Sequence, residues 1–398
     1  MRFNPDADDM KPLVSIVVPT KDRSQYATST VQACLSIDEC VEVVVADSSR
    51  DESLTNSLRS LGLLEKITYV KTDPHFSVVD NFNRAIEYAS GEYVTCIGDD
   101  DFVTSEVAAV AAYARTNQID CVNFTFPVTY WWPDFTHRRR GNVDAATLCI
   151  QKYTGKLQQI EPEQELRKAA RLLGSGPQKM PRIYAGLVSR ELLEKIRVNY
   201  GQLFGGVSPD VYSSTLLARE CRKPVLLDFP IVVPGVSGGS TSGTSSNGKH
   251  VGRLRENSHI APFNDLVWDQ RIPEFYSVPT VWSFSMLKAL EKVHMVARAN
   301  LMSTYLKCFL YHREYLQETY AAVRVALTTQ SLPAVVVGMV CAIFDESAYV
   351  LKAISRRLRE RLLPQSQTRI HEIVSSKEAF DALEKILCET GGGFSPPK

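Results

Sequence analysis

The chain has 398 residues, enough for two domains or for one large domain with an addition. Apolar residues make up 44% and charged residues 23%, and 45 Lys plus Arg against 45 Asp plus Glu leave none of the basic excess that a nucleic-acid binder carries. Nine scattered cysteines with no CxxC pair argue against a zinc ribbon or a disulfide framework and for a reducing, cytoplasmic compartment.

The start, Met1-Arg2-Phe3-Asn4-Pro5-Asp6, is polar and lacks the apolar core of a signal peptide. Residues 13–19 are apolar, β-branched and closed by Pro19, which predicts a buried strand. A helix is expected over 25–35, and then a second buried strand over 41–46 that ends at Asp47-Ser48-Ser49. A helix over 52–61, a short strand over 67–70 and a helix over 78–89 follow, the last with Val79, Phe82, Ile86 and Ala89 at helical spacing. A strand over 93–97, a helix over 106–115 and a strand over 120–126 complete the alternation.

Alternating apolar strands and helices predict an α/β fold: a mostly parallel sheet covered by helices, with ligands at the carboxyl ends of the strands. Three polar clusters fall at such ends: Thr20-Lys21-Asp22-Arg23, Asp47-Ser48-Ser49 and Asp99-Asp100-Asp101. The last is the most telling. Three adjacent like charges repel, and a divalent cation with its preference for hard oxygen ligands relieves that repulsion while keeping positions open for phosphate. The alternative is local: Asp101 or Thr104 caps the helix that follows.

The middle stretch is less regular. It holds Tyr130-Trp131-Trp132-Pro133, the basic run His137-Arg138-Arg139-Arg140, a helical pattern over 161–173 and a strand over 183–188. After these come Gly205-Gly206-Val207-Ser208-Pro209-Asp210, a helix over 211–219 and an apolar stretch over 225–233. The Gly/Ser/Thr tract over 235–249 reads as flexible, a lid or a plain linker. Residues 243–250 nearly spell a phosphate loop, but His250 stands where that loop needs a hydroxyl, which excludes a P-loop kinase.

From 280 to 387 the pattern is almost wholly helical, with a break at Leu332-Pro333. No apolar run reaches the roughly eighteen residues of a spanning helix. The longest, 332–344, is followed by Asp345 and Glu346, so the chain is expected to be soluble or peripheral. Arg356, Arg357, Arg359 and Arg361 lie among Leu351, Ile354, Leu358, Leu362 and Leu363. Such a basic amphipathic stripe suits an anionic membrane surface, a contact with a second copy, or a solvated face.

Four landmarks in order, Val17-Val18-Pro19-Thr20-Lys21-Asp22-Arg23, Asp47-Ser48-Ser49-Arg50-Asp51, Asn83-Arg84-Ala85-Ile86 with Ala89-Ser90-Gly91-Glu92-Tyr93, and Gly98-Asp99-Asp100-Asp101, resemble the family 2 glycosyltransferases. The resemblance implies a GT-A, Rossmann-like fold and a nucleoside-diphosphate sugar as donor. Residues 1–125 would then be the nucleotide-sugar-binding half, 126–279 the acceptor half with its loop over 235–250, and 280–398 a helical appendage.

By the same resemblance, Pro19, Thr20, Asp22, Arg23, Asp47, Ser48, Asn83 and Asp99 contact the donor. Asp100 is the main ligand of Mn²⁺ or Mg²⁺, Asp101 the second, and His250 a third contact. Gly98 stands where the family more often has Asp. Asp210, about 100 residues on, matches the acidic residue that acts as base on a glycan or lipid-linked acceptor. Its local alternative is an ordinary helix-start Asp. Trp131 and Trp132 are candidates to stack on an acceptor sugar, with core packing as the default. The expected role is inverting sugar transfer in cell-surface polysaccharide synthesis, in the cytoplasm or at the inner face of the membrane. A nucleotidyltransferase and a non-catalytic nucleotide-sugar binder are the alternatives.

Overall fold

The structure, a computed structural model, describes residues 11–395 apart from 39, 139, 241–242, 244–250 and 363–366. Its first part alternates as the sequence predicts: β1 (Val14–Thr20), α1 (Ser24–Cys34), β2 (Val41–Asp47), α2 (Ser53–Ser60), β3 (Thr68–Lys71), α3 (Val78–Ile86), β4 (Tyr93–Cys96), β5 (Phe102–Val103), α4 (Val107–Thr116) and β6 (Cys121–Phe124). The middle holds β7 (Val128–Trp131), β8 (Thr147–Ile150), β9 (Leu157–Gln159), α5 (Pro162–Arg171), β10 (Gly186–Ser189), α6 (Arg190–Tyr200), α7 (Pro209–Glu220), β11 (Pro224–Leu227), β12 (Val232–Val233) and β13 (Gly235–Val236). The remainder is α8 (Val278–Lys292), α9 (Leu301–Tyr311), α10 (Leu316–Thr329), α11 (Leu332–Leu362), β14 (Thr368–Ile370) and α12 (Ser376–Glu389).

Among the described residues the main sheet has eight strands in the order β3-β2-β1-β4-β10-β6-β11-β9. The run β3-β2-β1-β4 is parallel, as is β6 with β11. The strand expected over 183–188 starts only at Gly186 and runs antiparallel between β4 and β6, so those two are not neighbours. Period-2 alternation sorts β1 onto two faces. Val14, Ile16 and Val18 pack with Ala27 and Val31 of α1, while Val17 packs with Val44 and with Phe82 of α3. The start of α3 is fixed by a reciprocal cap between Ser77 and Asp80, a device worth about 1 kcal/mol.

The C-terminal part departs from its pattern in two ways. It is not wholly helical: β14 pairs antiparallel with β8, and α12 returns to the first half. Ala379, Phe380, Leu383 and Leu387 make one face of α12 and close the Val14 side of the core, with Phe380 edge-on to Phe102 at 6.2 Å. Second, α11 is one helix of 31 residues. Within its segment Leu332–Arg359 an 18-residue window has a mean hydropathy of 1.8, so by length and composition alone the helix could cross a membrane, although Asp345 and Glu346 interrupt its apolar run as the sequence indicates. Asp345 and Glu346 do not end it because they face the body. Asp345 pairs with Arg171 at 2.9 Å, and Glu346 accepts the Tyr311 hydroxyl at 2.6 Å and sits 3.5 Å from Lys307.

Candidate active site

The carboxyl end of β4 leads straight into the acidic turn, and Asp101 builds it. One Asp101 oxygen accepts the Gly98 N–H and the other the Gly235 N–H, each at 2.8 Å. The Asp100 carbonyl accepts the Trp132 indole N–H at 3.0 Å, and the Thr30 hydroxyl lies 2.9 and 2.7 Å from the Asp99 and Asp101 carbonyls. Neither Asp101 nor Thr104 caps α4: the helix start has no side-chain cap, and Thr104 donates instead to the Pro230 carbonyl at 2.9 Å.

With the backbone so held, Asp99 and Asp100 line a cavity. Asp99 accepts the Thr20 hydroxyl at 2.7 Å and pairs with Arg23 Nε at 3.2 Å. Asp100 pairs with Arg23 Nη2 at 2.9 Å and accepts the Ser237 hydroxyl at 2.6 Å. Arg23, lying over the Tyr26 ring at 4.7 Å, is thus the cation that holds these two carboxylates together. Burial pushes the Asp99 carboxyl up to about 7, with Arg23 opposing and Asp100 adding to the rise. Burial and then Asp100 do the same to Asp101. Even with Arg23 present, the cluster is short of positive charge.

The cavity has a volume of about 620 Å³ and sits at the carboxyl ends of β1, β2 and β4. It is lined by Thr20, Arg23, Ser48, Asp99 and Asp100 from the first half and by Arg182, Tyr184, Asp210 and His259 from the middle of the chain. Asp210 lies in the first turn of α7, whose start is set by Pro209, and its carboxylate accepts the Ser208 hydroxyl. His259 donates through Nε2 to the Val207 carbonyl at 2.8 Å, and burial holds its pKa below the usual imidazole range, so it is neutral at pH 7. Arg182 lies over Phe126 at 4.7 Å and donates to the Phe124 carbonyl, while its buried Nε has no hydrogen-bond partner among the described residues.

Of the residues expected at the donor, Pro19, Thr20, Arg23, Ser48 and Asp99 line this cavity, together with Asp100, Asp101 and Asp210. Three others do not line it, for visible reasons. Asp22 is exposed in a left-handed turn at φ 55° and accepts the Arg50 N–H. Asp47 is fully buried and accepts from the Ser49 N–H, the Tyr69 hydroxyl and Lys71 Nζ. Asn83 clamps the Phe204 backbone, donating to its carbonyl at 2.9 Å and accepting its N–H at 3.0 Å.

His250 and Lys249 lie outside the described residues. Trp132 is a core residue whose indole supports Asp100, not an exposed platform. The tract expected to be flexible from residue 235 is pinned over 235–240. Ser237 bridges Arg23 and Asp100, and the Gly238 N–H donates to Asp134 at 3.0 Å. Arg182, Tyr184 and His259 carried no motif. Only the β10 topology and the packing of residues 258–262 bring them to the cavity.

Among the described residues, no group of three His, Cys, Asp or Glu side chains is arranged to hold a metal ion. Two adjacent buried carboxylates that line the cavity and share Arg23 nevertheless fit a hard cation of the kind that takes one or two carboxylates and completes its shell with phosphate oxygens.

Residues 15–172 match the family model described as "Glycosyl transferase family 2". WcaA of Escherichia coli (strain K12), named as a glycosyl transferase of colanic acid biosynthesis, is 36% identical over 93 residues, which is 23% of this chain. The chain spans about a third of that relative's length, 33%. The structure of Staphylococcus aureus TarS 1-349 with UDP-GlcNAc is similar at 16% identity and a TM-score of 0.45, covering 81% of this chain and 93% of that one. The Pyrobaculum calidifontis mannosyltransferase PcManGT with GDP-Man and Mn²⁺ is similar at 16% identity and a TM-score of 0.40, covering 95% and 87%.

Proposed function

We propose, from the match of residues 15–172 to the model of glycosyl transferase family 2, that the chain transfers a sugar, with inversion, from a nucleoside-diphosphate donor to a hydroxyl of a glycan or lipid-linked acceptor. The observation that carries the reading is the single cavity shared by the acidic turn and Asp210.

Thr20, Arg23 and Ser48 contact the donor from the β1 and β2 ends. Asp100 would hold Mn²⁺ or Mg²⁺, with Asp99 as its partner in place of the expected Asp101, whose two oxygens accept the Gly98 and Gly235 N–H groups, and the cation would stabilise the charge that develops on the departing diphosphate. Arg23, paired with both carboxylates at this edge, would supply a guanidinium to the phosphate oxygens. Arg182, which also lines the cavity and whose buried Nε has no hydrogen-bond partner among the described residues, offers the incoming groups a second cation.

In the transfer step the acceptor oxygen forms a bond to the anomeric carbon. The carbon–phosphate oxygen bond breaks, its electron pair leaves on the diphosphate, and the acceptor proton goes to the Asp210 carboxylate. The Asp99 and Asp100 carboxylates add field stabilisation to the cationic character of the sugar.

The test is a transfer assay with purified chain, Mn²⁺ and nucleotide sugars. Asp210→Asn is expected to lower turnover by about 10²-fold or more while donor affinity stays within about twofold. Near-normal turnover in that variant would remove Asp210 from the base role.

A further inference from the structure

Among the described residues, exposed large apolar side chains concentrate on one side of α11. Val337, Val340, Phe344, Leu351, Ile354 and Leu358 recur at steps of three, four and seven and are each 46–73% exposed. At 100° per residue they fall within an arc of about 100° along a helix roughly 46 Å long. The opposite side is fastened to the body. Val335, Met339 and Ala342 join the core, the Gly338 carbonyl accepts Asn300 Nδ2 at 2.9 Å, and Asp345 and Glu346 are tied to Arg171, Lys307 and Tyr311.

That anchoring decides between two membrane geometries. A spanning helix would have to strip Asp345 and Glu346 of their partners in the middle of the bilayer, at several kcal/mol. A helix lying in the interface keeps them and still buries its outer stripe.

Charge chooses the occupant. The exposed end of the stripe is flanked by Lys352 and Arg359 on one side and by Arg357 on the other. A second copy packed in parallel would set these cations against their own images. An anionic lipid surface complements them.

We propose that α11 is an in-plane docking helix for an anionic bilayer surface, with Phe344 and Leu351 in the acyl boundary and Lys352, Arg357 and Arg359 at the headgroups. The assignment is independent of the sugar-transfer reading.

The test is sedimentation of the full chain with vesicles of phosphatidylcholine alone and of phosphatidylcholine mixed with phosphatidylglycerol. Binding to the anionic vesicles only, weakening as salt rises, is expected. The double change Phe344→Glu with Leu351→Glu, and separately Arg357→Glu with Arg359→Glu, should each weaken it about tenfold or more. These side chains are exposed, so unchanged near-ultraviolet circular dichroism is expected and checks the fold. Absence of vesicle binding, binding of equal strength to both vesicles, or a dimer in sedimentation velocity that Phe344→Glu dissociates would overturn the proposal.

Discussion

Asp47 shows how far a residue's identity and its position can diverge. The sequence marks an Asp at the end of a buried strand, and the structure puts it there, at the end of β2 and in register with Thr20 of β1. What the sequence does not show is that Tyr69 and Lys71 of β3 reach it. Burial alone would raise its pKa, but hydrogen bonds from Ser49, Tyr69 and Lys71 outweigh burial and hold it below the usual carboxylate range. A depressed folded pKa contributes stability that is present above the unfolded value, near 3.9, and lost as pH falls through the folded one. Asp47→Asn should therefore cost about 2 kcal/mol in urea unfolding at pH 7. The gap to the parent should narrow as pH falls below the carboxylate range. A gap that did not depend on pH would show that the charge of Asp47 contributes nothing. Asp99 and Asp100 were legible for the opposite reason: like charges side by side at a strand end have few structural explanations.

At the scale of elements, local periodicity served the first half well because its strands and helices alternate in chain order, with β1, β2 and β3 pairing in sequence. It failed where partners are remote. The apolar face of α12 looks like that of any surface helix, and only the fold shows that it covers β5 and α1. Phe380→Ala should cost about 3 kcal/mol in equilibrium unfolding, the range for emptying a buried aromatic site. A cost under about 1 kcal/mol would mean that the tail is loosely docked. The start of the Gly/Ser tract is held in a way its composition does not show: β13 pairs with β7, and Gly235 lies against the Asp100 carbonyl so closely that a Cβ would overlap it, while residues 241–242 and 244–249 lie outside the described residues. Gly235→Ala should therefore displace the acidic turn and weaken donor binding at least tenfold with secondary structure intact. Unchanged affinity by titration calorimetry would show that the turn tolerates the shift.

For the whole molecule, topology does the work that no local motif can. The parallel order of β1, β2 and β4 sets their carboxyl ends at one edge of the sheet, which is why three separated polar clusters already pointed to a single site. The rest of the lining was less legible. Arg182 and Tyr184 reach the cavity because β10 inserts between β4 and β6, a pairing that no spacing announces. The account rests on a cation-assisted diphosphate site in the cavity that Asp210 also lines. Its most direct measurement is calorimetric titration of UDP, GDP, CDP and dTDP into the full chain and into Asp100→Ala, with Mn²⁺ and with EDTA. The account predicts tight binding of one nucleotide, lost on chelation and lost in the variant. Equal binding with EDTA, or full affinity in Asp100→Ala, would contradict it.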